Sequence, residues 1–435
     1  MPLVDLSTTA LLTDRYELTM VRGALGGDTE ARRAVFEVFA RHLPAGRRYG
    51  VVAGIGRFLD ALEAFRFDDQ SLEFLTSHDI VDSRTASWLA SYRFSGDIWG
   101  YGEGDLYFPG SPILVVEAGF AEAVILETLA LSILNHDAAI ASAASRMVHA
   151  ASGRPIIEMG SRRTHEMAGV AAARAAYLAG FTSSSNLEAG RSYGVPTAGT
   201  SAHAFTLLHD SERHAFQAQL AALGRDTTLL VDTYDVARAV AVAVDLAGPE
   251  LGAVRLDSGD LAETAHEVRA QLDALGAPKT RIIVTGDLDE YSIAGLASAP
   301  VDGYGVGTSL VTGSGAPTAA LVYKLVARAE SPEGPLRPVA KRSVGKPSRG
   351  GRKWAVRHLG EDGKAIAEVV STGELEPGPY DRSLLRPLVR DGEVIGREPL
   401  AEARARHERA LAELPPRAFQ LSRGDPAIPT DFLNG

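Results

Sequence analysis

The sequence predicts an α/β protein built around an irregular (β/α), TIM-like barrel, and three observations predict it. From about Pro112 onward, short apolar runs alternate with Ala-rich amphipathic segments. Eight runs appear: Ile113–Glu117, Pro155–Met159, Gly180–Ser183, Val195–Gly199, Leu229–Val231, Ala253–Asp257, Ile282–Thr285 and Gly303–Val306. The residues just after most of them are rich in Gly, Ser, Thr, Asp and Arg. Strands alternating with helices imply parallel pairing through crossover helices. Seven or eight such units fit a closed barrel better than a two-layer sandwich. An open doubly wound sheet is the competing arrangement.

Each element has a local reason. Residues 1–111 mix helices and strands and make the predicted N-terminal α+β domain. Asp14–Leu25 and Ile55–Phe65 carry helical apolar spacing, while Val35–Ala40 and Ile98–Gly100 read as strands. In the barrel, residues 112–330, helices are expected over Thr164–Ala179, Ala204–Leu223, Asp235–Ala247 and Leu261–Leu275. The pattern fades after Val326. Ser331–Lys346 contains Pro332, Pro335 and Pro338 and reads as a linker. The C-terminal region, residues 331–435, holds the basic cluster Lys346–Arg357 and a charged helix near Pro399–Leu414. This region is expected to pack partly on the N-terminal domain. Its tail, Asp425–Gly435, has two prolines and little apolar material, so a draped or frayed end is expected.

Composition narrows the function classes. Hydrophobic residues make up 45% and charged residues 23% of the chain, which is a soluble globular composition. A formal net charge of −11 argues against a duplex nucleic-acid binder but leaves room for a local basic pocket. Cysteine is absent, so disulfides, thiolate catalysis and cysteine metal sites are excluded. Ala121–Leu134 and Val236–Leu246 are strongly apolar, yet Glu122, Glu127, Arg238 and Asp245 interrupt them. They read as buried helices rather than membrane spans. Met1–Thr13 has no basic residue before its apolar stretch and does not read as a signal peptide. A cytoplasmic location is the expectation.

In a barrel, chemistry gathers at the C-terminal ends of the strands. Gly199-Thr200-Ser201-Ala202-His203 puts a histidine at a strand-to-helix corner. Backbone N–H groups and the helix dipole favour phosphate at such corners. Neutral imidazole is a nucleophile near pH 7 and can take a phosphoryl group. The plain alternative is a histidine that only hydrogen-bonds at a helix start. Thr285-Gly286-Asp287 and Gly305-Val306-Gly307-Thr308-Ser309 end the last two runs. Their glycines let the backbone approach an anion, and their hydroxyls add donors. Ordinary tight turns would give the same strings.

Arg162 and Arg163 follow the Pro155 run, and Ser185 follows the Gly180 run. Arginine's planar fork suits phosphate or carboxylate. Arg255 sits inside an apolar run, where a charge needs a partner, and Asp257 points to the same side of the strand. Asp232, Asp235, Asp257, Asp260 and Asp287 converge on one face of a barrel. Carboxylates beside phosphate cradles suit Mg²⁺ bridging a diphosphate, or recognition of sugar hydroxyls. For Asp235 and Asp260 the helix N-cap is the preferred reading. Either Asp232 or Asp257 could hold His203 in its working tautomer. No G-x-x-x-x-G-K-[ST], H-E-x-x-H or G-x-S-x-G string is present. His136, His149, His165, His209 and His214 lack metal-ligand spacing, so no metal ligand set is assigned.

Taken in order, these strings resemble one family, the nicotinate phosphoribosyltransferases. The matching segments are Leu12-Thr13-Asp14-Arg15-Tyr16-Glu17-Leu18-Thr19-Met20, Gly160-Ser161-Arg162-Arg163, Gly180-Phe181-Thr182-Ser183-Ser184-Ser185-Asn186 and Gly199–His203. They continue with Val231-Asp232-Thr233-Tyr234-Asp235, Arg255-Leu256-Asp257-Ser258-Gly259-Asp260, Gly286-Asp287-Leu288-Asp289-Glu290, Gly305–Ser309 and Gly351-Arg352-Lys353. Lys346-Pro347-Ser348-Arg349 and Asn135-His136-Asp137 depart from the family pattern.

The resemblance implies that nicotinate and 5-phosphoribosyl 1-diphosphate give nicotinate mononucleotide and diphosphate in NAD biosynthesis and salvage, coupled to ATP hydrolysis. It implies phosphorylation of His203 during turnover, beside the candidate catalytic acids Asp232 and Asp257. Nicotinate contacts would fall on Tyr16, Arg162, Thr200 and Arg255. Phosphoribosyl diphosphate contacts would fall on Arg163, Ser185, Gly286, Asp287, Gly307 and Thr308. ATP is the implied co-substrate and Mg²⁺ the implied cofactor. A homodimer is implied, with the N-terminal domain of one subunit capping its partner's barrel. Neither nucleic acid nor membrane is an expected partner. Arg15-Tyr16-Glu17 fits the nicotinate type rather than the nicotinamide type. Nicotinamide or quinolinate as substrate is the alternative within the class. A phosphate-binding barrel lyase or isomerase is the alternative outside it, and the run ends contain no lysine for a Schiff base.

Overall fold

The alternation of strand and helix is realised in Ile140–Pro317, one of two units into which the chain divides. The other unit joins Met1–Ala139 to Thr318–Gly435. The structure is a computed structural model that describes residues 8–341 and 349–433. Lys346, Pro347 and Ser348 therefore lie outside the described residues, as do Met1–Ser7.

In Ile140–Pro317 six strands form one parallel sheet. Their order is Ser183–Ser184, Ile156–Glu158, Gly303–Val306, Arg281–Val284, Ala253–Leu256 and Thr228–Leu230. Every pairing is parallel, so the six C-terminal ends meet at one edge. Helices Glu166–Leu178, Val236–Ala247 and Leu261–Ala274 form where helical spacing predicted them. Val236–Ala247 buries Ala239, Val240, Ala243, Val244 and Ala247, one continuous apolar stripe. Asp235 caps it by accepting the Arg238 N–H at 2.7 Å. Asp260 caps Leu261–Ala274 through the N–H groups of Ala262 and Glu263 at 3.2 and 3.1 Å. Both acids are thus N-caps. The architecture is α/β, with the parallel sheet as a half-barrel.

Two of the eight expected barrel strands behave otherwise. Leu114–Gly119 pairs antiparallel with Arg33–Ala40 and Asp97–Gly100 in the first unit. Its near-continuous burial looks the same in a parallel and a doubly covered antiparallel sheet. Val195–Gly199 contributes only the bridge between Ser184 and Thr197. Pro196 has no N–H for a ladder, although its carbonyl accepts from Ser184 N–H at 2.9 Å. The expected helix Ala204–Leu223 is two helices, His203–Leu208 and Glu212–Leu223. Ser211 starts the second by accepting the His214 N–H at 3.3 Å.

The first unit is organised by a seven-stranded antiparallel sheet. Its order is Arg337–Pro338, Leu321–Arg328, Arg33–Ala40, Leu114–Gly119, Asp97–Gly100, Arg386–Arg390 and Glu393–Val394. Part of the linker expected at Ser331–Lys346 is therefore an edge strand, where Pro338 is tolerated. A second sheet orders Asp381–Ser383, Trp354–Leu359, Ala365–Ser371 and Thr430–Leu433. The tail is not frayed over Thr430–Leu433, because it adds a parallel strand to Ala365–Ser371 and packs Phe432 against the core. Asn135 accounts for one polar departure. Its Oδ1 accepts from Leu321 N–H at 2.8 Å and Thr318 Oγ1 at 2.9 Å, anchoring the start of the Leu321–Arg328 strand.

Phe120–Ala150 is a 31-residue stretch long and apolar enough to cross a membrane by length and composition. Leu129, Ala130, Leu134, Ala141, Ala144 and Met147 on it are buried in the protein, as in a core helix.

Glu17, beside Tyr16 on helix Arg15–Gly26, is fully buried. It accepts the Thr128 N–H at 2.7 Å, the Thr128 hydroxyl at 2.6 Å and the Thr13 hydroxyl. Burial nevertheless pushes its carboxyl up to about 7. A raised folded-state value means stability present below the unfolded carboxyl's ~4.3 and lost as pH rises through about 7. Glu17→Gln is therefore expected to raise the melting temperature at pH 8 and to change it little at pH 5. Thermal scans at the two pH values check this, and equal shifts at both would contradict it.

Candidate functional site

The C-terminal edge of the parallel sheet holds a cleft of about 280 Å³ within Ile140–Pro317. Ser161, Arg162, Ser185, Thr200, His203, Arg255 and Asp257 line it, with Met159 at the strand end below. Parallel pairing is the cause. Three strands supply these residues: Ser161 and Arg162 follow Ile156–Glu158, Ser185, Thr200 and His203 come after Ser183–Ser184, and Arg255 and Asp257 lie in and just after Ala253–Leu256, and the shared direction brings them to one side.

His203 is the first residue of helix His203–Leu208. Its Nε2 lies 3.1 Å from Asp232 Oδ1. An ionised carboxylate only accepts, so Nε2 carries the proton and Nδ1 keeps its lone pair. Nδ1 makes no hydrogen bond among the described residues. The Asp232 side chain is 3% exposed. Its Oδ2 accepts the Asp257 N–H at 2.9 Å and the Ser258 hydroxyl at 2.8 Å. Three donors thus hold one carboxylate, and the carboxylate holds the imidazole. Between the two acids that could support His203, the geometry chooses Asp232.

Arg255 donates to the Thr200 hydroxyl. Its Nε is buried and has no hydrogen-bond partner among the described residues. Asp257 forms no ion pair with it among the described residues. Instead Asp257 Oδ1 accepts the Thr285 hydroxyl. Burial pulls the Arg255 guanidinium below its usual range, against the fields of Asp257 and Asp232. A half-buried cation with an unfilled donor calls for an anion.

The remaining predicted residues are distributed around this centre. Arg163 ends the 3-10 turn Ser161–Arg163 and does not line the cleft. Gly286 and Asp287 follow Arg281–Val284, with Gly286 at φ +133°. Gly307 and Thr308 follow Gly303–Val306 at the same sheet edge. A Cβ on Gly307 would lie 3.2 Å from the Met159 carbonyl, so the strand ends approach closely there. Tyr16 belongs to the other unit, where the residue is 45% exposed.

The sequence pattern of the nicotinate phosphoribosyltransferase (NAPRTase) N-terminal domain matches residues 11–135. A nicotinate phosphoribosyltransferase of Mycobacterium tuberculosis is 58% identical over 430 residues, covering 97% of this chain and 94% of that protein. The chain belongs to the nicotinate phosphoribosyltransferase family. The Bos taurus nicotinate phosphoribosyltransferase is 31% identical, with 95% of this chain and 93% of that protein covered. Among solved structures, human nicotinic acid phosphoribosyltransferase superposes with a TM-score of 0.83 at 28% identity, covering 97% of both chains. A nicotinate-nucleotide pyrophosphorylase from Pyrococcus furiosus gives 0.77 at 25% identity over 96% and 98%.

Within this nicotinate phosphoribosyltransferase fold, sequence reasoning passed over Glu158. It ends the Ile156–Glu158 strand and is completely buried. In sequence it is a single acid inside the run Pro155–Met159. The one available signal was that strands buried on both faces rarely tolerate an ionisable residue.

Proposed function

We propose that this chain is an ATP-coupled nicotinate phosphoribosyltransferase that makes nicotinate mononucleotide and diphosphate for NAD biosynthesis and salvage. The observation that carries the reading is the His203–Asp232 pair beside Arg255 and Thr200 in one cleft. Arg255 offers the nicotinate carboxylate a partner, with the Thr200 hydroxyl fixing the guanidinium. The pyridine nitrogen attacks C1 of the phosphoribosyl group as the C1–O bond to diphosphate breaks. The nitrogen carries no proton, so no strong general base is needed. Positive charge grows on the ribose, and nearby carboxylates oppose it.

His203 Nδ1 attacks the γ-phosphorus of ATP as the bond to the β-phosphate breaks and ADP leaves. Asp232 holds the proton on Nε2 and offsets the positive charge that attack places on the ring. Hydrolysis of that phosphohistidine couples ATP to product formation. Arg162, Arg163, Ser185, Gly286, Asp287, Gly307 and Thr308 supply donors and backbone approach for phosphates. No cluster of three metal-ligating acids or histidines is present among the described residues. Mg²⁺ carried by a diphosphate asks for less, one or two carboxylates beside phosphate oxygens. Asp257 fits, since Thr285 occupies only its Oδ1. Bound there, Mg²⁺ would neutralise charge on the leaving diphosphate. The reading includes a cytoplasmic homodimer, which sedimentation tests for assembly.

Incubation with γ-labelled ATP, acid-labile phosphate mapping and product assays with nicotinate, nicotinamide and quinolinate test the whole reading. The wild type is expected to label at His203 and to use nicotinate. His203→Ala is expected to lose the label entirely. Equal labelling of that variant would remove the phosphohistidine, and product from nicotinamide alone would overturn the substrate.

A further inference from the structure

A closed ring of hydrogen bonds lies beneath the cleft and runs through Glu158. One carboxylate oxygen accepts the Gly160 N–H, and the other accepts the Ser184 hydroxyl. Ser184 Oγ in turn accepts the Asn186 N–H at 2.9 Å. Asn186 Nδ2 donates to Ser161 Oγ at 2.9 Å, and Ser161 follows Gly160 in the chain. The ring therefore ties the turn carrying Ser161 and Arg162 to the loop carrying Ser185. All three of those residues line the cleft.

Glu158 is 0% exposed and forms no ion pair among the described residues. A buried carboxylate without a cation is costly, and burial raises its carboxyl above the usual range. Its value lies in being an acceptor at both oxygens. A glutamine would accept from one loop but donate toward Ser184. Ser184 Oγ would then accept from both the glutamine NH₂ and the Asn186 N–H, and the Ser184 hydroxyl hydrogen would lose its buried acceptor. Gly160 is confined as well, since a Cβ there would lie 2.2 Å from Val311 Cγ1 and 3.0 Å from the Gly307 carbonyl. The turn has little room to relax another way.

We infer that Glu158 is a positioning residue that sets the Ser161–Arg162 turn and the Ser185 loop at the spacing the nicotinate and phosphoribosyl groups require. This rests on the nicotinate phosphoribosyltransferase reading of the cleft. His203 and Asp232 take no part in the ring, so the two functions separate.

The test compares wild type, Glu158→Gln and Ser184→Ala in three measurements: nicotinate kinetics, ATP labelling of His203, and amide hydrogen exchange. Displacing substrate contacts by about an ångström costs on the order of 100-fold. Both variants are expected to lose about 10- to 100-fold in kcat/KM, chiefly through the nicotinate KM. His203 labelling is expected to stay within about twofold of wild type, and exchange at Gly160 and Asn186 to quicken. An unchanged nicotinate KM in both variants would overturn the inference. So would loss of labelling in parallel with activity, which is what a merely structural role would give. A wild type that makes no product from nicotinate would overturn the functional reading instead. Exchange at Gly160 and Asn186 would then decide the ring by itself.

Discussion

Asp232→Asn is expected to abolish ATP coupling while leaving the protein folded, with ATP-dependent turnover falling by about 10³- to 10⁴-fold. The reason is tautomeric. Asp232 accepts from Asp257 N–H, Ser258 Oγ and His203 Nε2, at 2.9, 2.8 and 3.1 Å. An asparagine must keep its one oxygen toward the Asp257 and Ser258 donors, because an NH₂ group there would face a backbone N–H. Its NH₂ then faces His203 and requires Nε2 to accept. The ring proton moves to Nδ1, the atom proposed to attack phosphorus through its lone pair. Labelling from γ-labelled ATP should fall with coupled turnover. Phosphoribosyl transfer without ATP should fall far less, because Arg255 and Thr200 keep their contact. A loss below about tenfold in labelling would exclude Asp232 from this role.

Arg357→Leu is expected to destabilise the first unit by about 3–5 kcal/mol. The Arg357 guanidinium is 0% exposed and pairs with Glu368, itself 0% exposed. It also donates to the Leu106 carbonyl at 2.8 Å and lies 3.4 Å from Asp105. Truncation leaves Glu368 buried with only the Ser111 and Tyr101 hydroxyls for company. Burial already holds the Glu368 carboxyl above its usual value with the arginine present. Asp105 suffers less, because Arg382 still reaches it at 2.7 Å. A second substitution separates charge from packing. Arg357→Leu combined with Glu368→Gln should recover part of the loss, since no uncompensated charge remains. Trp88, Trp99 and Trp354 all lie in this unit, so urea unfolding followed by tryptophan fluorescence reports it directly. A double variant no more stable than the single one would contradict the argument.

Much of the second unit was legible because its signals are local. Val236–Ala247 and Leu261–Ala274 each carry a helical apolar stripe and an aspartate cap within a few residues. Arg255 stood out because a charge inside an apolar run is conspicuous wherever the chain goes. Other features were hidden for equally physical reasons. Leu114–Gly119 is apolar on both faces, and its neighbours Arg33–Ala40 and Asp97–Gly100 decide its sheet. Thr430–Leu433 is too short and too polar to announce a strand, and it becomes one by pairing with Ala365–Ser371. Glu158 is a lone acid in a short run, and its partners sit 2 and 26 residues away.

By itself the sequence determined most of the strands and helices in the second unit, the family, and the residue types waiting at the strand ends. Those follow from periodicity and from strings that stand contiguous in the chain. Only the tertiary structure decided that Asp232, rather than Asp257, holds His203, and that Asp257 turns to Thr285. The two acids follow adjacent parallel strands whose register pairs Leu230 with Arg255. That register, fixed by packing across the sheet, determines which carboxylate lies 3.1 Å from the imidazole.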